Sequence, residues 1–394
     1  MEKPLKIAVY SGQIPATTFV ERLIHGLANR DFKILLFGAI VSGKENFRSK
    51  HAHIKNYGYY HNRLYKLLYL IKYSVLLSIF NASEKRKLQM FLKRQKRYDL
   101  YNRVKYYPVL YHKPDIFHLQ WAKSAEEWMW VQDFGMKLVL SLRGAHINYS
   151  PIADLDLANT YRRIFPNISG FHAVSKAIAK EAQKYGANQN QIKVVYSGLD
   201  IPELKPSTTI DESVFNIISV GRAHWIKGYP VAIDACKYLM QHNIEFKYLI
   251  VGAAHDIELI YQIHDLELQN HITLVDAQPY SAIERLVQKC DVLLLPSHKE
   301  GIANVVLEAM ALKTMVLTTD CGGMNEVVED GHNGFMVPIR DPLAIAKKLK
   351  EISILNPAET LKITNNAFTT IQKQHNASEM IAGMLALYDQ VLTA

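Results

Sequence analysis

The chain has 394 residues, 49% of them hydrophobic, enough to bury the cores of two or three domains rather than one. Three cysteines, Cys236, Cys290 and Cys321, form an odd set without metal-ligand spacing, which favours free thiols in a reducing compartment over a disulfide framework. The net charge of +9 is concentrated in residues 44–113, where 17 Lys and Arg face three acids, a local balance of +14 that leaves the rest of the chain at −5.

The amino-terminal run "MEKPLKIAVYSGQIPA" has too short an apolar core for a secretory signal, and its "KIAVYS" reads as a first strand, so a cytoplasmic protein is expected. "FKILLFGAI" follows as a second strand. The stretch "HAHIKNYGYYH" gathers His51, His53 and His61 without supporting acids or cysteines and reads as a polar loop rather than a metal site.

The basic segment comes next, with "YKLLYLIKYSVLLSIF" leading into "EKRKLQMFLKRQKR". Lys72 interrupts the apolar run and Asn81 ends it, short of the ~20 apolar residues that a spanning helix requires. Amphipathic helices with an apolar and a basic face are expected instead. They fit peripheral contact with an anionic membrane on the inner face of the cell membrane, or packing on their own domain with a solvated basic face. No nucleic-acid recognition motif accompanies the charge, and no nucleic-acid partner is expected.

"IFHLQW", "KLVLSLRG", "GFHAVS" and "IKVVYSG" then alternate with helical periods, as a parallel sheet covered on both faces requires. His118 and His172 each follow apolar runs and read as satisfied strand-end histidines. Asp154 and Asp156 have the spacing of a metal-binding pair, yet "ADLDLAN" opens a helical segment and reads as a helix start. After the Pro-, Ser- and Thr-rich "DIPELKPSTTIDES" the alternation restarts with "FNIISVG", "FKYLIVG", "ITLVD", "DVLLLPS", "MVLTTDCGG" and "GFMVPI". The reading is two doubly wound α/β domains, residues 1–200 carrying the insertion 44–113 and residues 201–375, joined near 199–213. A final helix over 376–394, capped by Ser378, has an apolar stripe at Met380, Met384, Leu387 and Val391 and is free to cross back onto the first domain.

Candidate chemistry gathers at the second domain's strand ends. "HKEGIANVVLEAM" places Glu300 before a helix that has Asn304 near its start, and Glu308 on its second turn. If helical throughout, eight residues separate the acids by about 12 Å, too far to share a proton but suited to two ends of an elongated ligand. A positive helix end between them suits a diphosphate. Arg222 and Lys227 in "SVGRAHWIKGYP" are two cations able to neutralise a diphosphate leaving group without a metal. Gly322 and Gly323 in "TTDCGGMNEVVEDGHNGFMVP" stand where backbone can approach a ligand closely.

The ordered set "GRAHWIKG", "LPSHKEGIANVVLEAMA" and "CGGMNEVVEDGHNGFMVP" resembles the carboxyl-terminal domain of family 4 retaining glycosyltransferases of the GT-B fold, with Glu300 and Glu308 as the Glu-x7-Glu mark. "PDIFHLQW", "LSLRGAHIN", "FHAVSKAIAKEAQKYG" and "VVYSGLD" extend the likeness over the first domain, and "SLRGAHIN" is similar to members that build bacterial exopolysaccharide or colanic-acid-like glycans. The resemblance implies two Rossmann-like domains facing across a cleft. It also implies a metal-independent, retaining hexosyltransferase that needs no cofactor and takes a UDP- or GDP-sugar as substrate and a glycan or lipid-linked acceptor. It assigns the diphosphate to Arg222 and Lys227, the ribose hydroxyls to Glu308, and the donor sugar to Glu300 with the backbone of Gly301, Ile302, Ala303 and Asn304. Arg143 and Gly144, where many relatives have a His-Gly or His-Asp pair, would meet the donor or the acceptor from the first domain. The alternative of another class is a non-catalytic protein that binds a nucleotide sugar or glycan.

Overall fold

Seven strands and then six strands, all parallel, organise the chain in a computed structural model that describes residues 5–41, 51–201 and 214–394. Residues 42–50, the start of the basic segment, and 202–213, most of the expected linker, lie outside the described residues. The described residues divide into two units. The first holds the chain up to Val174 together with Ala179–Val195 and Ala377–Ala394; the second holds Ser175–Ile178 and Tyr196–Asn376. A short piece of the first half, Ser175–Ile178, thus goes with the second unit.

In the first unit the strands are β1 (Lys6–Ile14), β2 (Lys33–Ile40), β3 (Ile54–Asn56), β4 (Ile116–Leu119), β5 (Lys137–Leu142), β6 (Gly170–Ala173) and β7 (Ile192–Val194). Their order is β3-β2-β1-β4-β5-β6-β7. The histidine-rich stretch expected to be a polar loop contains the edge strand β3, which pairs with β2 in the register Ile34↔Ile54. Only Ile54 of its three residues is buried, so the strand has almost no apolar signature to read.

The second sheet comprises β8 (Phe215–Val220), β9 (Phe246–Val251), β10 (Ile272–Val275), β11 (Val292–Leu295), β12 (Met315–Thr319) and β13 (Phe335–Val337). The order β10-β9-β8-β11-β12-β13 is that of a doubly wound sheet whose crossovers diverge between β8 and β11. Both faces are covered. Ile217, Leu294 and Leu317 enter one apolar cluster, while their neighbours Ile218, Leu293, Leu295 and Val316 enter another on the opposite side. Alternate residues of a strand point to opposite faces, and continuous apolar runs such as "DVLLL" are what a sheet buried on both faces demands.

The basic segment folds as three helices of the first unit, Arg63–Phe80, Ala82–Arg94 and Leu100–His112. Asn62 starts the first of them by accepting the Leu64 amide at 2.8 Å, and Asn81 ends it. The last helix, Ala377–Thr393, begins one residue before the expected cap, so Ser378 lies in its first turn and accepts from Arg30 Nη2 at 3.5 Å. Met380, Met384, Leu387 and Val391 are buried in one apolar cluster with residues of β1, β2 and the helix Thr18–Ala28, and the last helix packs on that helix and on β5, β6 and β7.

A buried polar chain ties this helix to the sheet. His172 Nε2 lies 2.9 Å from the Val195 carbonyl, which can only accept, so Nε2 carries the proton and Nδ1 accepts from Ser141 Oγ at 2.8 Å. The Ser141 oxygen then accepts from His118 Nε2 at 2.8 Å, and His118 Nδ1 accepts from the Tyr388 hydroxyl at 2.7 Å. Burial and the nearby Arg143 cation push His172 down to about 3, and burial first holds His118 well below its usual range. Both rings are thus neutral, as the chain of donors and acceptors requires. Tyr388→Phe removes the terminal donor and leaves His118 Nδ1 buried without a partner, at an expected cost of about 1–3 kcal/mol. Thermal unfolding should show a lower midpoint in the variant, and an unchanged midpoint would mean that the hydroxyl adds no net stability.

Candidate active site

The crossover divergence in the second unit sets the site. β8 and β11 are adjacent and parallel, paired at Val292↔Ile217 and Leu293↔Ile218, so the residues after both strands emerge side by side. After β8 come Gly221, Arg222 and a short turn, Trp225–Lys227, that leads into the helix Tyr229–Gln241. After β11 come Pro296 to Glu300. The two loops are locked together, with the His298 amide donating to the Ile226 carbonyl at 2.7 Å. Gly228 makes this approach feasible: its φ of 66° is left-handed, and a Cβ there would collide with the Pro296 carbonyl.

Lys227 and Glu300, 73 residues apart, meet as an ion pair with Nζ 2.7 Å from Oε1, and both side chains are largely buried. Ser297 Oγ donates to the same carboxylate oxygen at 3.0 Å. An ammonium has three donors, so Lys227 can hold Glu300 and still offer protons to a phosphate. Arg222 is exposed beside the end of β8 and makes no hydrogen bond or ion pair among the described residues. Its fork is available to an anion.

Gly301, Ile302 and Ala303 are buried and lead into the helix Asn304–Ala311, whose first residue is Asn304. Ala303 provides no side-chain cap for the helix, and its own amide donates to Met324 Sδ at 3.4 Å. Glu308 is half-buried on the second turn, and Glu300 precedes the helix, as the spacing predicts. The structure thus joins Lys227 to Glu300 directly, sets Arg222 on the neighbouring strand end, and keeps Glu308 further along the helix.

Gly322 and Gly323 do allow close backbone approach, but their neighbour is the site loop itself rather than open space. Gly322 has a φ of 64°, and a Cβ on it would fall onto the Glu300 carbonyl, while one on Gly323 would fall onto the Gly301 carbonyl. The pair therefore braces the Glu300–Gly301 backbone from the end of β12. Sequence reasoning missed two supports. Ser297 is one. Glu326 is the other: it accepts the Lys176 and Ala177 amides at 2.8 and 2.9 Å and the Tyr196 hydroxyl at 3.0 Å, which explains why Ser175–Ile178 goes with the second unit. A carboxylate capping amides 150 residues away leaves no local pattern to find.

In the first unit Arg143 follows β5 immediately, and Gly144, at φ 34°, turns the chain into a short helix. The Arg143 guanidinium lies over the Phe19 ring, 4.3 Å from its centroid, and donates from Nη2 to Gln120 Oε1 at 3.2 Å. Burial lowers it to about 10, which still leaves it charged at neutral pH. Asp154 caps the helix Leu155–Ile164 through the Leu157 amide at 3.0 Å, the helix-start role expected of it.

Comparison with known proteins agrees with this layout. The family described as glycosyl transferases group 1 matches residues 200–370. AmsK of Erwinia amylovora, an amylovoran biosynthesis glycosyltransferase, is 28% identical over 262 residues, 63% of this chain and 63% of AmsK. WcaL of Escherichia coli K12, named for colanic acid biosynthesis glycosyl transfer, is 29% identical over 224 residues, 55% of each chain. The match thus spans little more than half the length of these relatives. Among solved structures, Anabaena HepE in complex with UDP-glucose superposes with a TM-score of 0.71 at 19% identity, over 99% of this chain and 100% of that one. Sucrose-phosphate synthase from Thermosynechococcus elongatus gives 0.75 at 17% identity, over 99% of both. With two doubly wound parallel sheets and these structural neighbours, the chain has the GT-B fold, and its residues 200–370 match the family described as glycosyl transferases group 1.

Proposed function

We propose that this protein is a retaining, metal-independent hexosyltransferase that moves a sugar from a UDP- or GDP-sugar to a glycan or lipid-linked acceptor in bacterial cell-surface polysaccharide synthesis. The observation that carries the reading is the Lys227–Glu300 pair at the adjoining ends of β8 and β11, with Arg222 exposed beside it. The exopolysaccharide enzymes AmsK and WcaL support it by similarity.

In this reading Arg222 and Lys227 hold the diphosphate, Glu308 the ribose hydroxyls, and Glu300 with the Gly301–Asn304 backbone the donor sugar. The bond between the sugar's anomeric carbon and the diphosphate oxygen breaks, and the acceptor oxygen bonds to that carbon on the same face. The acceptor proton passes to the departing phosphate oxygen, so no protein base is required. Stabilisation of the leaving charge is the main demand, met by a guanidinium, an ammonium and an uncapped helix start. Double displacement through Glu300 is disfavoured, because its Oε1 already accepts from both Lys227 and Ser297.

The helix Arg63–Phe80 supports a membrane-bound acceptor. Leu64, Leu68, Ile71, Val75 and Ile79 follow one another at helical spacing and are 51–67% exposed, while Leu70, Tyr73 and Leu77 on the other side are buried. No helix among the described residues is long and apolar enough to cross a membrane. An aliphatic stripe, with exposed Arg86, Lys93, Arg94 and Lys96 on the next helix and the turn after it, fits the plane of an anionic bilayer. A second copy would bring two strongly basic surfaces together. Lys85 and Lys87 are engaged within the protein, Lys85 with Ser74 and Ser78 at 2.7–2.8 Å and Lys87 with the Asp133 carbonyl at 2.7 Å.

Three outcomes are expected. Arg222→Ala and Lys227→Ala should each lower kcat/KM by roughly 10²-fold or more with the fold intact, and wild-type turnover in both would remove these residues from the site. EDTA should leave transfer essentially unchanged, whereas a strict Mn²⁺ or Mg²⁺ requirement would mean that a metal bridges the diphosphate. The protein should co-sediment with anionic liposomes at low salt, and either Leu68→Glu with Ile71→Glu, or Gln at Arg86, Lys93, Arg94 and Lys96, should release it. Failure of the wild type to bind such liposomes, or dimers formed through this face in ultracentrifugation, would refute the membrane contact.

A further inference from the structure

Beside the Lys227–Glu300 pair, and separate from it, lies a cavity of about 300 Å³ whose walls include Trp225, His298, Asp256, Glu258 and Arg340. Neither Arg222, Lys227, Glu300 nor Glu308 lines it. The loop contact that joins the two strand ends builds it: Trp225 is two residues before Lys227, His298 is two before Glu300, and their ring centroids are 6.4 Å apart. The Trp225 indole is 55% exposed, so a large part of a flat apolar side chain meets solvent. His298 Nδ1 is buried without a hydrogen-bond partner.

The chemistry of the walls narrows the ligand. Two carboxylates oppose one guanidinium, so the cavity has no cationic excess to attract a diphosphate. One Asp256 oxygen accepts the Leu259 amide at 3.0 Å and starts the helix Ile257–Asp265, which fixes the carboxyl in place. Carboxylates accept, a guanidinium donates, and an imidazole does both, which matches hydroxyls that are themselves donors and acceptors. An exposed indole adds a flat apolar face. A pyranose ring presents both features, a C–H face for the indole and a rim of hydroxyls for the polar groups.

We propose that this cavity is a carbohydrate subsite that takes a pyranose ring of the acceptor glycan, stacked on Trp225. The assignment to the acceptor rests on the transferase reading, in which the donor sugar is held by Glu300 and the Gly301–Asn304 backbone and the nucleoside lies toward Glu308. His298 lines the cavity and stands two residues before Glu300 in the same loop, so in that reading the cavity adjoins the loop that holds the donor sugar.

The test is binding of the full-length protein to a broad array of bacterial and synthetic glycans, with UDP and GDP binding followed in parallel by thermal shift. Wild type should bind a subset of glycans. Trp225→Ala should weaken that binding roughly tenfold or more, as the loss of a Trp anchor does, and Trp225→Phe should restore most of it. Nucleotide binding should be equal in all three proteins. Glycan binding unchanged in Trp225→Ala, or no glycan bound by the wild type, overturns the proposal. Loss of UDP or GDP binding in Trp225→Ala also overturns it and assigns the indole to the nucleobase. Absence of nucleotide binding in the wild type, with Trp225-dependent glycan binding present, would instead refute the transferase reading and leave the subsite standing.

Discussion

A lysine and a glutamate beyond the ends of two neighbouring parallel strands pair where the second unit's loops meet. Taking Lys227 and Glu300 partly out of water has a desolvation cost that a single ion pair does not reliably recover. Here the pair is supplemented by Ser297 Oγ on the carboxylate and by the backbone contact from His298 to Ile226. The glycines at 228, 322 and 323 let three segments of backbone approach closely around it. A polar cluster supported from three strand ends is pre-organised, and pre-organised charge is what stabilises a departing anion without reorganisation.

The same constraint governs the surroundings. β8 and β11 are neighbours because the crossovers diverge there, and that divergence opens the space in which their loops can meet. β12, next to β11, then supplies Gly322 and Gly323 against the Glu300 loop. The Trp225–His298 cavity is a by-product of the same loop contact, so the ion pair and the cavity depend on one piece of backbone geometry.

The first unit solves a different problem by the same economy of means. His118, Ser141 and His172 come from β4, β5 and β6, and Tyr388 from the last helix, so one polar chain spans three strands and a helix that is 270 residues away in sequence from His118. His118, Ser141 and His172 each donate once and accept once, with Tyr388 as the terminal donor and the Val195 carbonyl as the terminal acceptor, which leaves no freedom in the tautomers. Burial keeps the rings neutral, since a charged imidazole here would need a proton acceptor that the chain does not offer.

Much of this was determined by local pattern. Twelve of the thirteen strands were legible as short apolar runs, most of them because a strand buried on both faces is apolar throughout; β3 has a single apolar residue, Ile54, and so left no run to read. Glu300, Glu308, Arg222 and Lys227 stood out because turns, glycines and charges follow strand ends in a readable order. Only the tertiary structure decided that Lys227 bonds Glu300, that Gly322 and Gly323 brace the Glu300 loop, that Glu326 caps the Lys176 turn, and that the stripe from Leu64 to Ile79 faces outward. Periodicity reports that a helix has an apolar face, but not what that face meets. A contact between residues 73 or 150 positions apart is set by strand order and crossover direction, which no local window of sequence contains.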